Sequence, residues 1–300
     1  MNARDWLAGG AAGRADVVLI GAPISKASIS PSQAWSTPPA VREMCARFPL
    51  WDAEHAVDLS ELQVHDMGDI AGDRDDVDAA AAHGRIEEAV AGAARSGAVV
   101  IVIGGDNSLT RPAMRAMQRS RHAEWGLLTL DAHHDCRPAD SGSRNGTPVR
   151  ELIEGGLPGT RVAQVGIHPF GNEHAHAAWA AQHGVHVYPM PEIRRSRVDT
   201  VLATAVAALV RDGAEALYVD FDVDVVERAN APACPASLPG GMSPDDLLQA
   251  AFLLGANNRV RAADITEVDA MADVNGITVR LAAATLLSFC AGVASRSKAR

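Results

Sequence analysis

Eight short apolar runs recur along the chain: VVLI from 17, LQVH from 62, AVVIVI from 98, GLLTL from 126, VAQVGI from 162, VHVY from 185, ALYVDF from 216 and VRAADI from 260. Most are rich in β-branched residues and run on without strict alternation, which predicts strands buried on both faces. Between most of them lie Ala-rich amphipathic stretches such as DVDAAAAHGRIEEAVAGAARSG, EHAHAAWAAQHG and DTVLATAVAALVRDG, the last two closing on a Gly suited to a C-cap. Strand alternating with helix predicts an α/β class chain: a single three-layer α/β/α domain over 1–300 with a mostly parallel sheet of about eight strands. Right-handed crossovers then place helices on both faces, and ligands bind beyond the carboxyl ends of the strands. GAPISKASISPSQAWSTPPAVREM reads as a long rim loop ahead of a helix starting near Pro38 or Pro39, and 276–295 as an apolar helix packed on the sheet.

If a site exists, polar residues should collect just after the strands, and they do. AVVIVI is followed by GGDNS, GLLTL by DAHHD, ALYV by DFDVD, and AAD by ITEVD. An acidic strand end often caps the next helix, so one alone means little. Four predicted to share one rim mean more. Along an extended chain alternate side chains face the same way, so Asp131, His133 and Asp135 can project together, as can Asp222 and Asp224. Converging carboxylates repel one another, whereas divalent cations offset their charge. Hard oxygen donors with an imidazole favour manganese over structural zinc. Two metals sharing a water would lower its pKa toward neutrality, and the implied chemistry is hydrolysis.

Composition narrows the partners. The chain carries 27 Lys and Arg against 37 Asp and Glu, a net charge of −10, which argues against nucleic-acid binding and for a small-molecule substrate. Only Lys26 and Lys298 are lysines; arginine carries the remaining positive charge. Cys45, Cys136, Cys234 and Cys290 form no CxxC pair, so reduced thiols are expected. No apolar run of membrane-spanning length is read, and MNARDWLAGGAAGRAD lacks the pattern of a secretory signal, so the expected place is the cytosol, away from membranes.

GGDNS, DAHHD, the DVD of FDVDVVERANAPACPASLPGG, and DITEVD resemble, in order and over nearly the whole chain, the motifs of the arginase/agmatinase/formimidoylglutamase ureohydrolases. The resemblance implies an arginase-like fold, two manganese ions, and a homo-oligomer, trimer or hexamer. Spacing back from NAPACP selects Asp222 and Asp224 rather than Asp220 as ligands. Carried over, Asp131, His133, Asp135, Asp222 and Asp224 bind metal, Asp135 also hydrogen-bonds the attacking hydroxide, and Glu267 holds the cationic amidine; having taken the hydroxide proton, Asp135 is the economical donor to the leaving amine, with His134 and His168 as alternatives. The position after GGD, usually a ligand histidine, is Asn107 here, so one metal site should be weak or lost.

Within that superfamily DAHHDCR, NGTPVR, APACPASLPGGM, GIHPFGN and the stretch after ITEVD resemble formimidoylglutamases, implying hydrolysis of N-formimidoyl-L-glutamate to glutamate and formamide in histidine degradation. Arg137, Arg144 and Arg150 offer partners for that substrate's two carboxylates, with Asn145 and His168 as further candidate contacts. Other readings are an agmatinase or other guanidino-compound hydrolase, a non-catalytic or metal-depleted relative, and, from DFDVDVV, a phosphohydrolase. His134 should point away from the metals as a packed residue, and His174 and His176 read as surface residues because two helical positions diverge by about 200 degrees. Manganese content titrated against free metal should show one tight and one weak equivalent; two equally tight sites would contradict the reading of Asn107.

Overall fold

The computed structural model describes residues 1–10 and 13–296; Lys298 lies outside them. Among the described residues the strands are Val17–Gly21 (β1), Trp51–Asp52 (β2), Val57–Asp58 (β3), Val64–Asp69 (β4), Val99–Ile103 (β5), Trp125–Leu130 (β6), Val162–Ile167 (β7), His186–Pro189 (β8), Ala216–Asp222 (β9) and Val260–Thr266 (β10). All but β2 and β3, which form a small antiparallel ribbon, join one sheet in the order β4-β1-β5-β10-β9-β6-β7-β8, with every pair parallel. The α-helices are Ala3–Ala8 (α1), Thr37–Met44 (α2), Ala80–Ala94 (α3), Thr110–Ser120 (α4), Pro148–Glu154 (α5), His174–Gln182 (α6), Met190–Ser196 (α7), Val198–Arg211 (α8), Pro244–Ala256 (α9) and Ile277–Ser295 (α10). Two buried apolar clusters separate them: α1, α2 and α7 to α10 pack on one face of the sheet, α3 to α6 on the other.

The expectation that each strand is buried on both faces holds for six of the eight. The edge strands differ: β4 alternates between buried and exposed positions and β8 is half-buried throughout. An edge has a neighbour on one side only, so it sheds the continuous apolar character of a central strand. The LQVH run marked β4 about two residues early for the same reason, since the strand runs on through the polar VHDMGD. The Gly residues expected after α6 and α8 are Gly184 and Gly213, both in the left-handed region that ends a helix cheaply (φ 76 and 97).

A second expectation needs correcting. α10 is 19 residues long with mean hydropathy 1.8, enough by length and composition to span a bilayer, although no membrane-length apolar run was read from the sequence. Most of its residues are buried inside the protein, against α9 and the sheet, where Phe289 meets Phe221 edge-on at 5.9 Å. A helix apolar around most of its circumference is what a two-sided core position requires.

The α9–α10 contact is backbone to backbone. A Cβ on Gly292 would stand 2.1 Å from the Phe252 carbonyl oxygen and 2.6 Å from the Ala256 nitrogen, neither of which can move aside. Helix propensity favours Ala over Gly by about 1 kcal/mol, whereas overpacking costs up to about 3 kcal/mol. Gly292→Ala should therefore destabilise by about 2 kcal/mol in urea unfolding, while Gly92→Ala in α3, whose nearest neighbour is the Arg95 guanidinium at 3.7 Å, should stabilise by up to about 1 kcal/mol.

Candidate metal centre

The four polar clusters sit at the carboxyl ends of four adjacent central strands, β5, β10, β9 and β6. Beyond β5 the chain turns through Gly104 and Gly105; a Cβ on Gly105 would lie 2.1 Å from the Ile24 carbonyl, so only glycine lets the rim loop cross here. The Gly105 carbonyl accepts the Glu267 N–H at 2.9 Å, bringing the β5 and β10 ends together.

Asp131, His133 and Asp224 each present one ligand atom within 4.8 Å of the others. His133 Nδ1 lies 2.6 Å from Asp224 Oδ2 and 3.5 Å from Asp131 Oδ1. Asp131 Oδ2 is buried and has no hydrogen-bond partner. Asp222 and Asp135 line the same cleft. These side chains do not converge through simple strand alternation. Asp135 has φ 50, and Asp224 lies in a 3-10 turn after β9 whose N–H is accepted by Asp222 Oδ1 at 2.8 Å. Glu267 likewise has φ 66. Non-glycine residues in the left-handed region cost about 1 kcal/mol or more, and two of them at one rim mark geometry held for a purpose.

Asn107 is held tightly. Its Oδ1 accepts the hydroxyls of Thr110 (2.9 Å) and Thr266 (3.1 Å), and its Nδ2 donates to Asp135 Oδ2 at 2.8 Å. It therefore turns donor hydrogens, not an oxygen, toward the carboxylates. Glu267 Oε1 accepts the Asn107 N–H (2.7 Å) and Asn145 Nδ2 (3.0 Å). Asp220 lies below the ligands in β9, in register with Asp264 of β10.

Electrostatics show what the cluster lacks. Burial pushes Asp131 up to about 7, with Asp224 adding to it. Burial and neighbouring carboxylates hold Asp135 and Asp222 well above the ordinary range. Burial acts against ionisation of Asp224 too, but the His133 charge outweighs it and holds Asp224 low; Asp224 in turn drives His133 up to about 12. Glu267 rises to about 8 through burial, then Asp106. With no cation among them Asp131, Asp135, Asp222 and Glu267 are pushed toward their protonated forms, and only Asp224, paired with His133, is held ionised. Divalent cations reverse that balance, and the orphaned Asp131 oxygen, the carboxylates and the imidazole are a donor set suited to manganese.

Arg137 and Asn145 line the cleft, which encloses about 140 Å³. His168 does not reach it: its Nε2 meets the Pro239 carbonyl at 2.9 Å and its Nδ1 accepts the Phe170 N–H at 3.1 Å, so the backbone uses both nitrogens. Arg144 is exposed and lines a different cavity, and Arg150 pairs with Glu154 and covers Trp179. His134 points away, 2.6 Å from Gln164 Oε1. His174 is exposed, but His176, read as a surface residue, lines the cleft because α6 starts beside the turn at Gly171. Sequence reasoning also missed Asn172, which clamps the DAHHD turn by donating to the Ala132 carbonyl (3.0 Å) and accepting the His134 N–H (2.7 Å). Its only signal was its place in GIHPFGN. Cys136 and Cys234 are buried, and burial raises both thiols, which leaves them poor nucleophiles.

Asp131 and Glu267 are raised from 3.8 and 4.5 to about 7 and 8 on folding, so their folded forms prefer the proton. Their contribution to stability is intact below about pH 4 and lost as pH climbs through 7 to 8. The melting temperature of metal-free protein should fall from pH 5 to pH 8, and added manganese should restore more of it at pH 8 than at pH 5; a pH-independent response would contradict this.

The arginase family profile matches residues 15–292. The formimidoylglutamase of Halalkalibacterium halodurans is 39% identical over 93% of this chain and 88% of its own, and that of Bacillus subtilis 32% identical over 92% and 86%. The crystal structure of the B. subtilis formimidoylglutamase superposes with TM-score 0.88 at 30% identity, covering 94% of this chain and 88% of the other. Trypanosoma cruzi formiminoglutamase with manganese superposes with TM-score 0.88 at 26% identity, covering 99% of each. This chain belongs to the arginase family.

Proposed function

We propose that the protein hydrolyses N-formimidoyl-L-glutamate, adding water across the formimidoyl C–N bond to release L-glutamate and formamide. The observation that carries a hydrolytic reading is the convergence of Asp131, His133 and Asp224 within 4.8 Å, with Asp135 and Asp222 on the same cleft. The formimidoylglutamases similar to this chain over most of their length support the substrate and disfavour a guanidino-compound hydrolase or a non-catalytic relative.

Asp131, His133, Asp135, Asp222 and Asp224 would hold manganese, which supplies positive charge and lowers the pKa of water at the site. Two ions are proposed, the one nearer Asn107 held weakly because that side chain offers hydrogens where a ligand atom is needed. Glu267, clamped by Asn107 and Asn145, carries the negative charge that an amidinium needs opposite it, and that cation favours its ionised form. The Asn107 hydrogen bond occupies Asp135 Oδ2, leaving Oδ1 free to accept a proton from the attacking water and to pass it to the departing amine. Arg137 on the cleft wall pairs with a substrate carboxylate. Arg144 and His168 are left out because neither reaches the cleft. The reading extends to one domain over 1–300 acting in the cytosol as a trimer or hexamer in histidine breakdown.

Formamide and glutamate release should proceed with kcat/KM about a thousandfold or more above that for agmatine, which lacks the carboxylates Arg137 would bind. Equal or faster turnover of agmatine would replace the proposal with a guanidino-compound hydrolase.

A further inference from the structure

A cavity of about 620 Å³ lies apart from the metal cleft, between α3, α4 and the loop at 141–144. Lys26, Arg111, Arg115, Arg119 and Arg144 line it, against two acids, Asp78 and Glu87. In a chain with a net charge of −10 this concentration of cations stands out from the background.

Helix structure alone gives no reason for it. Arg111, Arg115 and Arg119 recur at i, i+4 and i+8 on α4, so three like charges form one stripe and repel along it. Arg111 also sits in the first turn of α4, where the helix dipole disfavours a cation. Some of the charge is answered: Arg119 pairs with Glu87 at 3.0 Å, Lys26 donates to the Asp76 carbonyl, and Arg111 lies 3.1 Å from Glu151. Arg111 makes that contact through its Nε and also meets His83 Nδ1 at 3.1 Å through Nη2, so it is the partly answered member of the stripe. The side chains of Arg115 and Arg144 have neither an ion pair nor a hydrogen bond among the described residues. A guanidinium stripe that runs from half-buried Arg111 and Arg115 to exposed Arg119, with Arg115 and the nearby Arg144 unpaired, calls for negative charge from outside, and planar forks of N–H donors match carboxylate or tetrahedral oxyanion oxygens.

We propose that this cavity binds a small dianion, a dicarboxylate or a tetrahedral oxyanion, through Arg111, Arg115 and Arg144. Arg144 and Asn145 are consecutive: one faces this cavity, the other donates to Glu267 at 3.0 Å in the metal cleft. An anion held by Arg144 therefore also steadies the loop that positions Asn145.

Calorimetric titration of the manganese-loaded protein with succinate and, separately, sulfate, each at ionic strength fixed with sodium chloride, tests the site and distinguishes the two ligand types. At least one should bind saturably, about tenfold or more weakly to Arg115→Gln, and Arg115→Lys should recover part of the loss. Hydrogen exchange over 139–146 should slow when that anion is bound. The variants should keep the parent's metal content and anion-free turnover, which separates failure here from failure of the proposed activity. No saturable binding of either dianion, or binding unchanged in Arg115→Gln, overturns the proposal; unchanged exchange over 139–146 with binding retained removes Arg144 from it.

Discussion

Mutual repulsion among buried carboxylates is the constraint around which this molecule is arranged. Asp131, Asp135, Asp222, Asp224 and Glu267 are all almost wholly buried at the ends of neighbouring strands, in surroundings that penalise each charge and each charge's neighbours. A fold does not gather such groups for stability, since burying unpaired charge costs several kcal/mol per ion. Backbone N–H groups at the site answer part of that cost: Asp131 accepts from His133, Asp222 from Asp224, Asp224 from Ala132, and Glu267 from Asn107. The His133 charge and bound protons answer more of it, and a divalent cation would replace those protons, which would tie metal loading to folding and to pH.

Carboxylates also organise the rim, in a different way. The long loop after β1 has few apolar anchors, and side chains from other loops catch its N–H groups one after another. Asp73 accepts from Ser25 and Lys26, Asp106 from Ala27, Asn145 from Ile29 and Asp269 from Gln33. Hydrogen bonds to charged acceptors are worth about 1.5–3 kcal/mol each, so a series of them can hold a loop that packing would leave loose. Asn145 belongs to both systems, accepting from the rim and donating to Glu267, so the shape of the cleft and the placement of its carboxylate depend on one amide.

The arginines show how a single loop divides its work. Arg137, Arg144 and Arg150 lie within fourteen residues of one another, yet only Arg137 faces the metal cleft. Arg144 points into the cationic cavity beside α4, and Arg150 turns onto α5 and the Trp179 ring. Proximity in sequence placed all three near the site, but the turn through Gly142 (φ 95) and the start of α5 at Pro148 send them in different directions.

The sequence by itself determined the layered parallel sheet, because continuous β-branched runs separated by amphipathic helices have few other ways to bury their surface. It also singled out the strand ends where acidic residues collect, since the Asp and Glu of DAHHD, DFDVD and ITEVD have no apolar role, even though Phe221, Val223, Ile265 and Val268 among them join the core. Interior position differs from edge position only through neighbours, so the polar course of β4 and the burial of α10 were decided by the assembled sheet. Whether a side chain faces the cleft depends on backbone turns and long-range partners. His176, Asn172, the buried His168 turned away from the cleft and the orientation of the Asn107 amide were therefore set only once residues far apart in the chain had met.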